Sequence, residues 1–226
     1  MGAQTSILKP LVIIPAAGFG RRVGAPNSKE ILKLAGSDEP LIERAFRECE
    51  GRDWPIHLIT RPEKTDLLAY CQQRAPKNLS LQLVGPTQEW PATVLLSEPY
   101  WQEWNLLFLP DLIFEPSHVL DQMLVFAKDE ISLIAAGLET EAPGLWGCLR
   151  VEGDGFSICE KPKDLKEAWA WGFLLFKKSF GKPLFESLLA PAGNDPSDSG
   201  AEIKRWHKFT ETCKTLDLLE MKDLTR

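Results

Sequence analysis

Apolar runs of strand length alternate with stretches of helical period over residues 11–138. Leu11-Val12-Ile13-Ile14 has no polar break, the pattern of a strand covered on both faces of a sheet. Leu106–Leu109 repeats it, Trp54–Thr60 reads as a second strand, Leu79–Val84 alternates apolar with polar, and Ser132–Leu138 reads as a further strand. Between them, Ile42, Ala45, Phe46 and Cys49 recur at helical spacing behind Ser37-Asp38 and Pro40, a capping pair and a first-turn proline. Leu67, Leu68 and Cys71 mark one face of a second helix, and Ala92–Trp104 and Ser117–Lys128 are predicted to be helical. Strand and helix in succession predict parallel βαβ units, hence an α/β fold with a Rossmann-like, doubly wound, mostly parallel sheet.

From Trp146 the pattern changes. Gly147–Val151, Phe156–Glu160 and Trp169–Phe176 read as strands joined by short polar turns such as Glu152-Gly153-Asp154-Gly155, which predicts a small antiparallel section. With no internal repeat and no linker, the expectation is one domain over 1–226, with halves of about 1–138 and 139–226. Pro191–Ser199 (PAGNDPSDS) reads as the segment least suited to fixed structure. A chain of 226 residues can bury a sheet with helices on both faces.

The formal net charge of -6 argues against bulk binding to nucleic acid or to an anionic membrane. An anionic ligand therefore needs a local positive site. Five cysteines, odd in number and never spaced CxxC, together with three histidines, suggest neither a zinc site nor a disulfide framework; buried thiols in a reducing cytoplasm fit best. The amino terminus lacks a signal-peptide pattern, and no apolar run approaches membrane-spanning length.

The first strand opens into Ala16-Ala17-Gly18-Phe19-Gly20, followed by Arg21, Arg22 and Lys29. Gly18 and Gly20 let backbone approach a ligand closely, and inward N–H groups with basic side chains suit a polyphosphate. The dinucleotide fingerprint GxGxxG fails because Val23 holds its third position, and the only Gly-Lys pair, Gly181-Lys182, is followed by Pro183, not by Ser or Thr. What remains is AAGxGxRxxxxxxK. Asp111 follows directly on a buried strand, where open α/β sheets bind ligands; a cap before Leu112-Ile113 is its other reading. Ile158-Cys159-Glu160-Lys161-Pro162 follows a glycine-containing strand and a Asp-Gly turn.

These stretches, in this order, resemble the nucleotidyltransferases that make nucleotide sugars, glucose-1-phosphate thymidylyl- and uridylyltransferases among them. The loop also resembles that of the cytidylyltransferases of isoprenoid synthesis, which are not built around the Glu-Lys-Pro motif. The resemblance implies that Ala16, Ala17, Gly18, Gly20 and Arg22 bind the nucleotide. It implies that Arg22 stabilises departing pyrophosphate, that Lys29 meets the α-phosphate or leaving group, and that Lys161 meets the phosphate of a sugar 1-phosphate. Glu160 is implied on sugar hydroxyls, with Gly147 and Gly172 in the strands that line the sugar, so the antiparallel section faces substrate. Asp111 and Asp217 are the implied Mg²⁺ carboxylates; Asp217-Leu218-Leu219-Glu220-Met221 also reads as a helix capped by Asp217.

The chain departs from the family pattern in four places. Pro110 precedes Asp111 where glycine is usual. Leu219, Glu220 and Met221 replace a Gly-Thr-Pro turn. Trp90-Pro91-Ala92-Thr93 stands where the base-reading segment has Gly-Thr-Ala, and Ala170-Trp171-Gly172 removes an asparagine that would contact sugar. Trp146, Trp169 and Trp171 are candidate sugar-stacking faces.

The resemblance thus implies a Mg²⁺-dependent, cytoplasmic enzyme that joins a nucleoside triphosphate to a sugar 1-phosphate, with no nucleic-acid or membrane partner. A homo-oligomer is compatible with it. A cytidylyltransferase of a non-sugar alcohol phosphate, and a relative that binds nucleotide or sugar phosphate without turnover, stay open.

Overall fold

The computed structural model describes residues 8–18, 28–33, 36–87, 89–110, 114–115, 118–152, 155–160, 168–189, 207–209, 213–217 and 220–221. Its spine is a parallel block. Strands β1 (Leu11–Pro15), β2 (Ile56–Thr60), β3 (Leu79–Leu83) and β4 (Trp104–Phe108) lie in the order 4-1-2-3, with Ile13 beside Leu107 and His57, and Leu58 beside Leu81.

The unbroken apolar run of β1 follows from packing on both faces. Val12 and Ile14 bury against α1 (Leu41–Gly51), α2 (Thr65–Arg74) and α4 (Val119–Val125), in a cluster that holds Phe46, Cys49, Leu67, Leu120 and Met123. Leu11 and Ile13 belong to the opposite cluster with Val94 of α3 (Trp90–Leu95) and Leu184 and Phe185 of α5 (Lys178–Leu189). The sheet is doubly wound, as the strand–helix alternation predicts. A polar residue in β2 survives burial because its partners are built in. His57 is bonded to Ser80 Oγ at 2.9 Å and Gln82 Oε1 at 2.8 Å, and stacks on Tyr100 with ring centroids 4.4 Å apart.

The antiparallel section is organised by one long strand, β9 (Ala168–Lys177). One of its edges carries β6 (Leu133–Thr140) along nearly its whole length. The other edge is shared: β4 pairs with residues 173–177, while β7 (Gly147–Glu152) pairs through Cys148 with Ala170 and Leu149 with Trp169. Trp171 and Gly172 therefore sit at a fork between β4 and β7. A hairpin joins β7 to β8 (Gly155–Glu160), and β10 (His207–Phe209) adds to β8. Strand β11 (Cys213–Asp217) lies parallel to β6, and β5 (Phe114–Glu115) pairs with β12 (Glu220–Met221) in a separate ribbon.

Two expectations about helices change. The predicted helix Ala92–Trp104 is instead the short α3, a separate 3₁₀ turn at Glu98–Tyr100 and the start of β4. Pro99 has no N–H to continue the ladder, and Pro91 instead occupies the first turn of α3, where no N–H is needed. Helix α5, with Gly181 and Pro183 inside it, has no forewarning in the sequence pattern. A Cβ at Gly181 would stand 2.6 Å from both Phe176 Cε2 and Trp101 Cζ3, so glycine is what lets α5 close on the aromatic cluster.

Among the described residues no helix is long and apolar enough to cross a membrane, and Cys49, Cys71 and Cys148 are free and buried. The segment Pro191–Ser199 lies outside the described residues.

Candidate functional site

The carboxyl ends of β1, β2 and β4 point to one edge of the sheet, and the loop leaves from there. Ala16 N donates to Ile59 O at 2.7 Å, which extends the β1–β2 pairing by one residue before the chain departs. Ala16 O accepts from Thr60 Oγ1 at 3.3 Å and from Lys64 Nζ at 2.8 Å. Ala16 and Ala17 are buried, whereas Gly18 is exposed, with no atom of the described residues within 4 Å of where a Cβ would stand.

The chain returns to the described structure at Ser28. Asp66, at the second residue of α2, accepts from Ser28 N at 2.7 Å, from Ser28 Oγ at 2.6 Å and from Leu67 N at 2.8 Å. Burial pushes the Asp66 carboxyl up, but these donors outweigh it and hold it below the usual aspartate range. Lys29 begins a 3₁₀ turn, Lys29–Ile31, and is half-buried. Glu30, fully buried, pairs with Lys64 at 2.6 Å. Desolvation raises the Glu30 carboxyl and lowers the Lys64 ammonium, each opposed by the charge of the other. Ser28, Glu30, Lys64 and Asp66 were not legible in the sequence. Each is an ordinary polar residue there, and the partners lie 34 and 38 positions apart.

Strand pairing brings the other candidate residues to the same edge. Gly147 pairs with Glu160 at the open end of the β7–β8 hairpin. Gly172 is the extra residue of a β-bulge, since Ala136 faces Phe173 while Gly137 faces Trp171. Asp217 closes β11 opposite Gly137, two strands or about 10 Å from the bulge. It ends a strand and does not cap a helix. The chain that leaves Asp217 then pairs, through Glu220 and Met221, with Glu115 and Phe114, a few residues past Asp111. Gly20, Arg22, Asp111 and Lys161 lie outside the described residues, and of Glu160 and Asp217 only the strand positions are described. Among the described residues no group of three or more His, Cys, Asp or Glu side chains is placed to hold a metal ion.

The bulge also redirects an aromatic side chain. Phe173 packs on the α1, α2 and α4 side. Two residues earlier, Trp171 should share that face, but the extra residue turns it to the opposite cluster, where it is 4% exposed. There Trp90 leans on it with centroids 5.3 Å apart and meets Phe185 edge-on at 6.0 Å. The indoles at 90 and 171, two separate departures from the family pattern, thus form one packed unit. Trp171 is part of the core and offers no open face for a sugar to stack on.

No family model and no curated protein matches the sequence. Solved structures do match the fold. A Bacillus anthracis protein assigned as a glucose-1-phosphate thymidylyltransferase, solved with a sucrose, superposes with a TM-score of 0.71 at 17% identity, over 94% of this chain and 88% of that one. HddC from Yersinia pseudotuberculosis gives a TM-score of 0.64 at 15% identity, over 92% of this chain and 90% of its own. Its complex with GMP-PN gives 0.65, at the same identity and coverage. The chain shares the Rossmann-like fold of these proteins.

Proposed function

We propose that the protein is a nucleotidyltransferase that joins a nucleoside triphosphate to a sugar 1-phosphate, with release of pyrophosphate. One observation carries the reading. Stretches far apart in sequence, singled out by the loop's chemistry and by the family resemblance, converge on one sheet edge: the loop after β1, the end of β4, the Gly147–Glu160 hairpin mouth, the Gly172 bulge and Asp217. The bound GMP-PN and sucrose of the structural neighbours support the two substrate classes.

The attacking oxygen is a phosphate oxygen and is already anionic, so no general base is required. Positioning and charge neutralisation supply the rate. The Ala16 N–H is taken by Ile59 O, so the backbone N–H groups from Ala17 to Gly20 cradle the triphosphate, and Arg22 takes up charge on the departing pyrophosphate. Lys29 acts as a point charge near the α-phosphate. Glu160 accepts hydrogen bonds from sugar hydroxyls, and Lys161 holds the incoming phosphate. Asp111 and Asp217, hard oxygen donors whose following segments are paired through β5 and β12, suit Mg²⁺. Bound there, such an ion would supply charge neutralisation for the reacting phosphates.

Pyrophosphate release tests the reading, with Mg²⁺, each common nucleoside triphosphate and a panel of sugar 1-phosphates. One productive pair fixes the reaction class, base and sugar. Arg22→Ala and Asp111→Ala should each lower turnover by about two orders of magnitude or more with the melting temperature kept. Wild-type turnover in either variant removes the role assigned to that residue, and silence across the panel removes the reaction.

A further inference from the structure

We infer that the buried Glu30–Lys64 pair is a positioning device that holds both ends of the loop in register for the triphosphate. The inference rests on the nucleotidyltransferase reading of that loop.

The pair joins three elements. Lys64 Nζ reaches Ala16 O, at the exit of β1, and Glu30 Oε2, in the 3₁₀ turn where the loop ends. Its own backbone is fixed at the start of α2, where its N–H donates to Arg61 O and its carbonyl accepts from Leu68 N. Two residues on, Asp66 grips Ser28. The start of α2 is therefore a post to which residue 16 and residues 28 and 30 are both tied, and the whole AAGxGxRxxxxxxK stretch spans the interval between the ties.

Stability is a poor reason for such a pair. The two side chains are 0% and 3% exposed, so both charges forgo water. Glu30 Oε1 has no hydrogen-bond partner among the described residues. Buried pairs with an unmet lone pair seldom repay their desolvation, and apolar replacements of like volume are often neutral or stabilising. What an apolar pair cannot reproduce is the charged donor to Ala16 O at 2.8 Å, whose loss leaves that oxygen with the longer bond from Thr60 Oγ1 at 3.3 Å. A site built to receive a triphosphate needs its backbone N–H groups aimed within a fraction of an ångström. Lys64 acts through Ala16 and does not touch the substrate.

The test uses the Glu30→Met/Lys64→Met double variant, with Lys64→Arg as the conservative control. The expected result is a melting temperature within a few degrees of wild type and at least tenfold weaker binding of the preferred triphosphate by calorimetry. The KM for that triphosphate should rise while the KM for the sugar phosphate stays put; a merely structural role would move both. Lys64→Arg, which keeps a donor for Ala16 O, should recover most of the binding. A double variant that binds triphosphate like wild type overturns the inference, as does a loss shared equally by both substrates. If the double variant does not fold, Glu30→Gln/Lys64→Met, also without a buried charge, is read against the same outcomes. Wild-type protein that binds none of ATP, CTP, GTP, UTP and dTTP overturns the functional reading instead. Amide exchange at residues 17–20 then reads the strap directly, with tenfold faster exchange in the double variant expected and unchanged exchange refuting it.

Discussion

Replacing Gly137 with alanine should loosen the sheet at the bulge. A Cβ at this position would overlap the Ala170 carbonyl oxygen and stand 3.1 Å from Ala170 C and 3.2 Å from Trp171 Cα. All three obstacles are backbone, so no side chain can swing away and β6 must part from β9. Overpacking of this kind costs about 1–3 kcal/mol. Alanine restricts the unfolded chain more than glycine does, which returns up to about 1 kcal/mol. The steric cost wins, leaving a net loss of roughly 1–2 kcal/mol. At about 2–4 °C per kcal/mol for a chain of this size, the melting temperature should fall by roughly 2–8 °C. Because Gly137 faces Trp171 and Asp217 across its two neighbours, turnover should drop by more than the stability change alone explains. Gly51→Ala is the control of opposite sign. Gly51 ends α1 with nothing within 4 Å of a Cβ, and alanine there should be neutral or stabilising by up to about 1 kcal/mol. Calorimetric melts of the two variants decide the matter. A Gly137→Ala protein as stable as Gly51→Ala would refute the argument that β6 and β9 are in backbone contact at the bulge.

Asp66→Asn should cost about 1 kcal/mol at neutral pH, since the group is partly exposed and its hydrogen bonds are partly screened. The native carboxyl titrates below its unfolded value, so its contribution is complete above the unfolded pKa of about 3.9 and is lost as pH falls through the native value. The stability gap between wild type and variant in urea melts should thus be constant from pH 5 to 7 and close in stronger acid; a gap that widens there would contradict the assignment. Gly181→Ala should destabilise by about 1–3 kcal/mol, because Phe176 and Trp101 must both give way. A variant that melts no lower than wild type would mean the aromatic cluster has slack.

Much of the fold was legible because β1, β2 and β4 are covered on both faces and so read as largely apolar runs, while β3, at the edge and half in water, reads as an alternating one. Trp54 is buried yet lies outside β2, which starts at Ile56: burial, and not pairing, set that part of the pattern. Local signals failed where packing outweighed them. Gly181 and Pro183 speak against a helix, but α5 forms because its face buries Leu184 and Phe185. Trp171 could not be assigned a face from periodicity, since a bulge is invisible until the pairing is known. The loop's residues announced themselves by spacing, whereas Lys64 and Glu30 did not. Their meaning lies in a meeting across 34 residues that no local window contains.

The site is also ordered in time. The ties between Ala16, Glu30 and Lys64, and that of Asp66 to Ser28, join residues that lie within one stretch, 16–66, and rest on β1, β2 and the start of α2. Asp217 pairs with Gly137 of β6, some eighty residues earlier in the chain. On the reading proposed, a ribosome-bound chain acquires its grip on the triphosphate before its second carboxylate. Recognition would precede chemistry during synthesis, and an unfinished chain could hold a nucleotide without spending it.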